Sequence, residues 1–319
     1  MVTLITGGAG FIGSQVAQRL VNEDKPIVVV DNFNDYYDPR LKRGHIQGFK
    51  NRAPVVEADI RNVDAMTEVF DTYNITRVVH LAAMAGVRNS VKQGAMYADV
   101  NTTGSVVLMN LARQHDVSNF IQASTSSVYG QTQRIPFTED ELPDFPLAPY
   151  PASKRAAELF AYSYYQLFGL NVTVLRFFNV YGPNGRPDMM PLKVIDSILN
   201  DKTIQTYAAG KLERDWTYID DVVDGIIAAL DRPLGYEIIN MGCGQPTALT
   251  RFIEIYEQLI GKKAITNPVP APASEPRITY CDNSRARDLL GFDPQVQLEE
   301  GLARTWQWYQ KTYLQNTST

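Results

Sequence analysis

Val2-Thr-Leu-Ile-Thr-Gly-Gly-Ala-Gly-Phe-Ile-Gly13 decides the fold. The apolar run Val2–Thr6 predicts a buried strand, and Gly7, Gly10 and Gly13 follow it at a G-x-x-G-x-x-G spacing, with Phe11 and Ile12 opening a helix. Glycines there permit a tight strand-to-helix turn and close backbone approach to a pyrophosphate. The helix N-terminus adds unpaired N–H groups and a partial positive charge. A second strand, Ile27–Asp31, ends in a carboxylate 18 residues after Gly13. Asp31 is placed to accept both ribose hydroxyls of a dinucleotide and to repel a 2′-phosphate, so the reading is NAD rather than NADP. Asp59 and Ile60 close a third strand where an adenine ring would lie; Asp59 reads equally well as a cap of the next turn.

Outward from this unit, short β-branched runs alternate with longer amphipathic stretches, the pattern of a parallel sheet covered on both faces. Strands are expected at Val2–Thr6, Ile27–Asp31, Val55–Asp59, Arg77–Leu81, Asn119–Ser124 and Val172–Phe177. The predicted class is α/β, a Rossmann-like doubly wound parallel sheet with a smaller, mostly C-terminal lobe. After Phe178 the texture changes to the turn-rich Tyr181–Pro187. Helical patterns recur at Met190–Asn200, Asp220–Leu230, Leu249–Ile260, Asn283–Leu290 and Leu298–Leu314, and Pro268–Pro276 reads as an extended loop. The dinucleotide domain is assigned to 1–178 with returns at about 215–240, and the second lobe mainly to 179–319.

The 319 residues carry 30 Lys and Arg against 35 Asp and Glu, a net charge of −5 without a basic block, which disfavours nucleic acid as a partner. Cys243 and Cys281 have no CxxC partner, so neither a disulfide framework nor a metal site is expected. The N-terminus lacks a signal-peptide pattern, and no apolar run approaches the length of a membrane span. The expectation is a soluble, cytoplasmic protein. His45, His80 and His115 share no spacing with one another and read as structural or solvated.

Tyr150-Pro-Ala-Ser-Lys154 sets a phenol and an ammonium one helical turn apart. A nearby cation favours phenolate, which would equip Tyr150 as a general base toward a hydroxyl. Ala123-Ser-Thr-Ser-Ser-Val-Tyr-Gly130 supplies a hydroxyl cluster at a strand end, where sites of α/β proteins sit. Those hydroxyls orient an alcohol or cap the next turn.

These motifs, with Leu81-Ala82-Ala83 and Phe178-Asn-Val-Tyr-Gly-Pro183, resemble the extended short-chain dehydrogenase/reductases of the nucleotide-sugar epimerase/dehydratase group over nearly the whole chain. Asp31–Tyr37, Ala85–Ser90, Gly185–Met189 and Arg214–Asp221 most resemble UDP-glucuronate 4-epimerases. The resemblance implies NAD-dependent 4-epimerisation of UDP-glucuronate to UDP-galacturonate through a transient 4-keto sugar and bound NADH. It implies Tyr150 as base, Thr125 as the hydroxyl on the reacting oxygen and Lys154 on the nicotinamide ribose. Asn32 and Leu81–Ala83 join the cofactor set.

Substrate contacts implied by the resemblance are Ser126, Ser127, Asn179 and Arg186 near the uronate carboxylate, Arg214 and Arg277 on the diphosphate, Arg88 on the diphosphate or its loop, and Tyr207 beside uracil. Ser126 and Ser127 occupy the positions where dehydratases carry an Asp-Glu pair and decarboxylases a Glu. Asn179 stands where uronate epimerases carry Thr and neutral-sugar epimerases and decarboxylases carry Asn. The rival readings are a UDP-glucose or UDP-N-acetylglucosamine 4-epimerase, a UDP-glucuronate decarboxylase and a non-catalytic NAD-binding protein. The resemblance further implies a homodimer and no membrane partner.

Overall fold

The computed structural model describes residues 1–142, 144–272 and 275–315; the polar tail Asn316–Thr319 lies outside the described residues. Seven strands form one parallel sheet: β1 (Val2–Thr6), β2 (Ile27–Asp31), β3 (Val55–Glu57), β4 (Ile75–His80), β5 (Asn119–Thr125), β6 (Val172–Phe177) and, after three strands of the second lobe, β10 (Tyr236–Met241). Their spatial order is β10-β6-β5-β4-β1-β2-β3, reversing direction at β1. Open α/β sheets receive ligands at that switch point, beyond the carboxyl ends of the strands. Register is set by apolar residues facing both layers, with Leu4 opposite Val28 on one side and Val78 on the other.

The six expected strands are present, β1, β2 and β6 with the expected ends and β3, β4 and β5 with shifted ones. The third stops at Glu57, because Asp59 turns to accept from the Arg61 backbone and side chain. The seventh, β10, was not foreseen as a strand: Tyr-Glu-Ile-Ile-Asn-Met is polar at two of six places. It pairs with β6 from Tyr236 opposite Val172 to Met241 opposite Phe177.

The second lobe contains β7 (Asn179–Tyr181), β8 (Thr203–Tyr207), β9 (Glu213–Tyr218), β11 (Pro246–Ala248), β12 (Ile265–Val269) and β13 (Ile278–Thr279). β9 pairs with β7, β11 and β13, while β12 pairs with β8. Part of the Pro268–Pro276 stretch is therefore strand rather than loop, Pro268 standing opposite Thr206. All five expected C-terminal helices form, at Met190–Leu199, Ile219–Leu230, Leu249–Ile260, Ser284–Leu290 and Leu298–Tyr309.

One apolar cluster runs from Ile5 and Val29 under the sheet through Ile219 and Ile226 to Trp216 and Phe252 in the second lobe. A second cluster covers the opposite face, with Val28, Val78 and Phe120 meeting Phe70, Leu108 and Ala161. Among the described residues no helix is long and apolar enough to cross a membrane.

Candidate active site

The glycine turn has little room for side chains. Gly7 adopts φ +67°, and a Cβ there would stand 2.7 Å from the Ala82 amide nitrogen. At Gly13 a Cβ would collide with the Gly7 carbonyl oxygen. Asp31 is buried, its two carboxylate oxygens fixed by backbone N–H groups: Ala9 donates at 3.2 Å and Phe33 at 2.9 Å. Asp59 accepts from Asn32 at 3.0 Å and from the Arg61 guanidinium at 2.9 Å. Arg61 holds the Asp59 carboxyl well below the usual carboxylate range.

One cleft gathers these groups. Gly7, Gly10, Phe11, Ile12 and Gly13 line it together with Asp31, Asn32, Asp59 and Ile60. Leu81, Ala82 and Ala83, against which Gly7 packs, line it as well, as do Tyr150, Lys154 and Arg186. Every residue expected at the cofactor thus lines one cavity.

Tyr150 and Lys154 project from the first turns of the helix Pro149–Phe168, which starts with proline where the missing N–H costs nothing. Burial raises the Tyr150 phenol, while a hydrogen bond with Thr125 and the charge of Arg186 draw it back down. Lys154 lies in the field of Glu158, one turn further along the helix; burial lowers its ammonium to about 8, with Glu158 opposing.

Glu158 is fully buried and accepts from Ser124 at 2.5 Å and from Arg176 through two bonds of 3.0 and 2.8 Å. The Arg176 guanidinium in turn lies 4.7 Å from the Tyr129 ring centre. This network ties the helix to β5 and β6 directly beside the site.

Of the substrate candidates, only Arg186 lines the cleft. Its guanidinium takes Asp188 in a fork of 2.9 and 3.1 Å, and Tyr36 donates to the same carboxylate at 3.2 Å. Thr125 caps the turn Ser126–Tyr129 by accepting from the Ser127 N–H at 3.2 Å, which sets Ser126 and Ser127 in the chain immediately after it. Arg88, Tyr207 and Arg214 come together around Glu275. Its carboxylate receives both guanidinia at 3.0 Å, and Arg88 lies 5.0 Å from the Tyr207 ring centre. Arg277 does not join them: its carbonyl accepts from Glu213 and its side chain is exposed. Asn179 opens β7, half-buried.

Glu158, Asp188, Glu275, Tyr36 and Lys42 escaped the sequence reading. Only the first two carried a signal, four residues after Lys154 and two after Arg186. His80 is buried between Thr6 and Ser105 and driven down to about 3, so it stays neutral. His45 contacts the Ala9 carbonyl, and His115 lies 3.7 Å from Asp71.

Residues 3–242 match the model of the NAD dependent epimerase/dehydratase family. The chain belongs to that family. It is 44% identical over 308 residues to a UDP-glucuronate 4-epimerase of Thermodesulfobacterium geofontis, covering 96% of this chain and 95% of the relative. The solved UDP-glucuronic acid 4-epimerase from Bacillus cereus, in complex with UDP-glucuronic acid and NAD, superposes with a TM-score of 0.92 at 35% identity, covering 98% and 100% of the two chains. A UDP-glucose 4-epimerase from Thermotoga maritima, solved with UDP-glucose, gives 0.89 at 31% identity, covering 98% and 99%.

In this member of the epimerase family the cleft suits NAD. The crowded backbone around Gly7 and Gly13 leaves a smooth cradle at a helix N-terminus, and Asp31 presents a carboxylate already oriented by backbone donors. Lys154 offers a buried ammonium that, among the described residues, forms no salt bridge, leaving its donors for a ribose hydroxyl.

Proposed function

We propose that this epimerase interconverts UDP-glucuronate and UDP-galacturonate, in the cytoplasm and as a homodimer. The observation that carries the substrate is the half-buried Arg186 guanidinium lining the same cleft as Tyr150 and Lys154. A cation beside the base suits a sugar that carries a carboxylate next to the reacting carbon.

NAD, held by the glycine turn, Asp31 and Lys154, would supply a reversible hydride acceptor, so that the hydride lost from one face of the sugar C4 can be regained on the other. Tyr150 removes the 4-hydroxyl proton and gives it back, and Thr125 holds the same oxygen through its hydroxyl. Lys154 anchors the nicotinamide ribose. Arg186, Ser126 and Ser127 restrain the carboxylate, which matters because a 4-keto uronate is a β-keto acid prone to lose carbon dioxide. Asn179 adds a donor on the same side. Arg88 and Arg214 exchange Glu275 for the diphosphate, with Tyr207 beside the uracil. Arg277 has to swing inward from its exposed position to reach it.

The absence of a carboxyl side chain at Ser126 and Ser127 favours epimerisation over dehydration or decarboxylation. Two unpaired thiols, Cys243 and Cys281, fit a reducing compartment. Leu159, Phe160 and Leu167 lie exposed along one face of the helix Pro149–Phe168, a surface suited to a second copy. A neutral-sugar 4-epimerase is the second reading, favoured by Asn179 and by Asp188 already filling the fork of Arg186.

Incubation with UDP-glucuronate, UDP-glucose and UDP-N-acetylglucosamine, with products identified by NMR, tests the substrate. UDP-galacturonate as the fastest product is expected; faster UDP-galactose would establish the second reading. Arg186→Ala should lower kcat/KM for UDP-glucuronate roughly ten- to hundredfold, the equivalent of about 1.5–3 kcal/mol for a charge-assisted hydrogen bond, and affect UDP-glucose far less. Equal losses for both sugars would mean that Arg186 serves Tyr150 or the fold rather than the uronate carboxylate.

A further inference from the structure

Lys42 belongs to the short helix Pro39–His45, capped by Asp38 through the Arg40 N–H, and only 7% of its side chain is exposed. Its ammonium lies 3.6 Å from Asp31 Oδ1, donates to Asn34 Oδ1 at 2.9 Å and stands 5.2 Å from the Tyr37 ring centre. It lines the same cleft as Gly10, Asp31 and Ile60.

We infer that Lys42 binds and selects the cofactor: the adenosine ribose is received by an ammonium and a carboxylate, Lys42 with Asp31, and not by the carboxylate alone.

Lys42 is not needed to place Asp31. Both Asp31 oxygens are already fixed by the N–H groups of Ala9 and Phe33. An ammonium carries three donors, and Asn34 takes one of them, while Asp31 at 3.6 Å is an ion-pair neighbour beyond good hydrogen-bond reach. A buried lysine with an unfilled donor facing a cleft is costly unless a ligand oxygen completes it. The diol of a ribose offers oxygens that accept from Lys42 while donating to Asp31.

The neighbouring cations are committed elsewhere. Arg43 lies 4.4 Å from the Phe33 ring centre and pairs with Glu57, and Arg61 pairs with Asp59 and Asp99. Burial lowers the Lys42 ammonium and Asp31 is the chief group raising it again, with Asp35 adding a smaller attraction.

Cofactor choice follows from this pair. With Asp31 present the subsite is balanced, and a 2′-phosphate meets a carboxylate at close range. With Asp31 neutralised, Lys42 remains as an unopposed cation where an NADP 2′-phosphate would sit.

The test reads bound nucleotide, not turnover. Wild type, Lys42→Met, Lys42→Arg, Asp31→Ser, and Asp31→Ser combined with Lys42→Met or Lys42→Arg are purified, incubated with excess NAD or NADP and freed of unbound nucleotide. The retained cofactor is then extracted and identified by chromatography. Lys42→Met should bind NAD roughly ten- to hundredfold more weakly. Asp31→Ser should retain NADP, the combination with Lys42→Met should lose it, and the combination with Lys42→Arg should keep it. Wild-type NAD retention by Lys42→Met, or equal NADP retention with and without the Lys42 cation, would overturn the inference. Thermal melts report folding, and if the Asp31 variants fail to fold, NAD retention by Lys42→Met against Lys42→Arg decides alone.

Discussion

The ammonium of Lys154 is enclosed by protein, and its protonation sets an alkaline limit on catalysis. Its folded value of about 8 lies below the ordinary 10.5. Turnover needs the charged form at the ribose, so kcat should fall as pH rises through about 8. Stability moves the other way: between the folded and ordinary values the unfolded chain binds more protons, so stability rises with pH over that window. Buried tyrosines titrate at higher pH, so the comparison is wild type against Lys154→Met. The pH-rate profile and the pH dependence of Tm should both lose their Lys154 component in the variant, and identical Tm profiles for the two proteins would contradict the assignment. Tyr150→Phe keeps the ring and loses the proton acceptor. It should remain folded, retain NAD by nucleotide extraction and lose about 10²–10⁴-fold in kcat.

The helix Pro149–Phe168 presents Tyr150 and Lys154 with a rigidity that comes from Glu158. Breaking a buried ion pair leaves an uncompensated charge, so Glu158→Ala should cost about 3–5 kcal/mol by strandedness of Arg176. Glu158→Leu together with Arg176→Met removes both charges and should recover much of that loss. Denaturant melts of the single and double variants measure this, and additive destabilisation would show that the pair is not coupled. The pairing was not legible in the sequence. Tyr150 and Lys154 declare themselves by spacing on one helix, whereas Glu158 finds Arg176 across β6, 18 residues away.

At the scale of the molecule, the apolar cluster that joins the main sheet to the second lobe uses the helix Ile219–Leu230 as its hinge of packing, with Ile219, Val222 and Ile226 fully or almost fully buried. The cleft lies between the glycine turn of the first lobe and Arg186 of the segment leading into the second, so relative placement of the lobes governs site geometry. The exposed face of Leu159, Phe160 and Leu167 points away from that core. Leu159→Glu with Leu167→Glu should convert a homodimer to a monomer in sedimentation velocity. Unchanged sedimentation of a folded double variant would place the dimer surface elsewhere.

By itself the sequence determined what depends on local pattern. Short β-branched and continuous apolar runs specified six strands of the sheet, glycine spacing specified the turn after β1, and one helical turn specified Tyr150 with Lys154, because each is a relation between residues close along the chain. Only the tertiary structure decided which charges meet. It took β10 into the sheet despite Glu237 and Asn240, since pairing with β6 satisfies its backbone. It brought Arg186 into the cleft of Tyr150 and Lys154, filled the Arg186 fork with Asp188 and brought Glu275 between Arg88 and Arg214. It also laid Lys42 beside Asp31. Electrostatic attraction falls with distance and strengthens with burial, and both quantities exist only once the chain has folded.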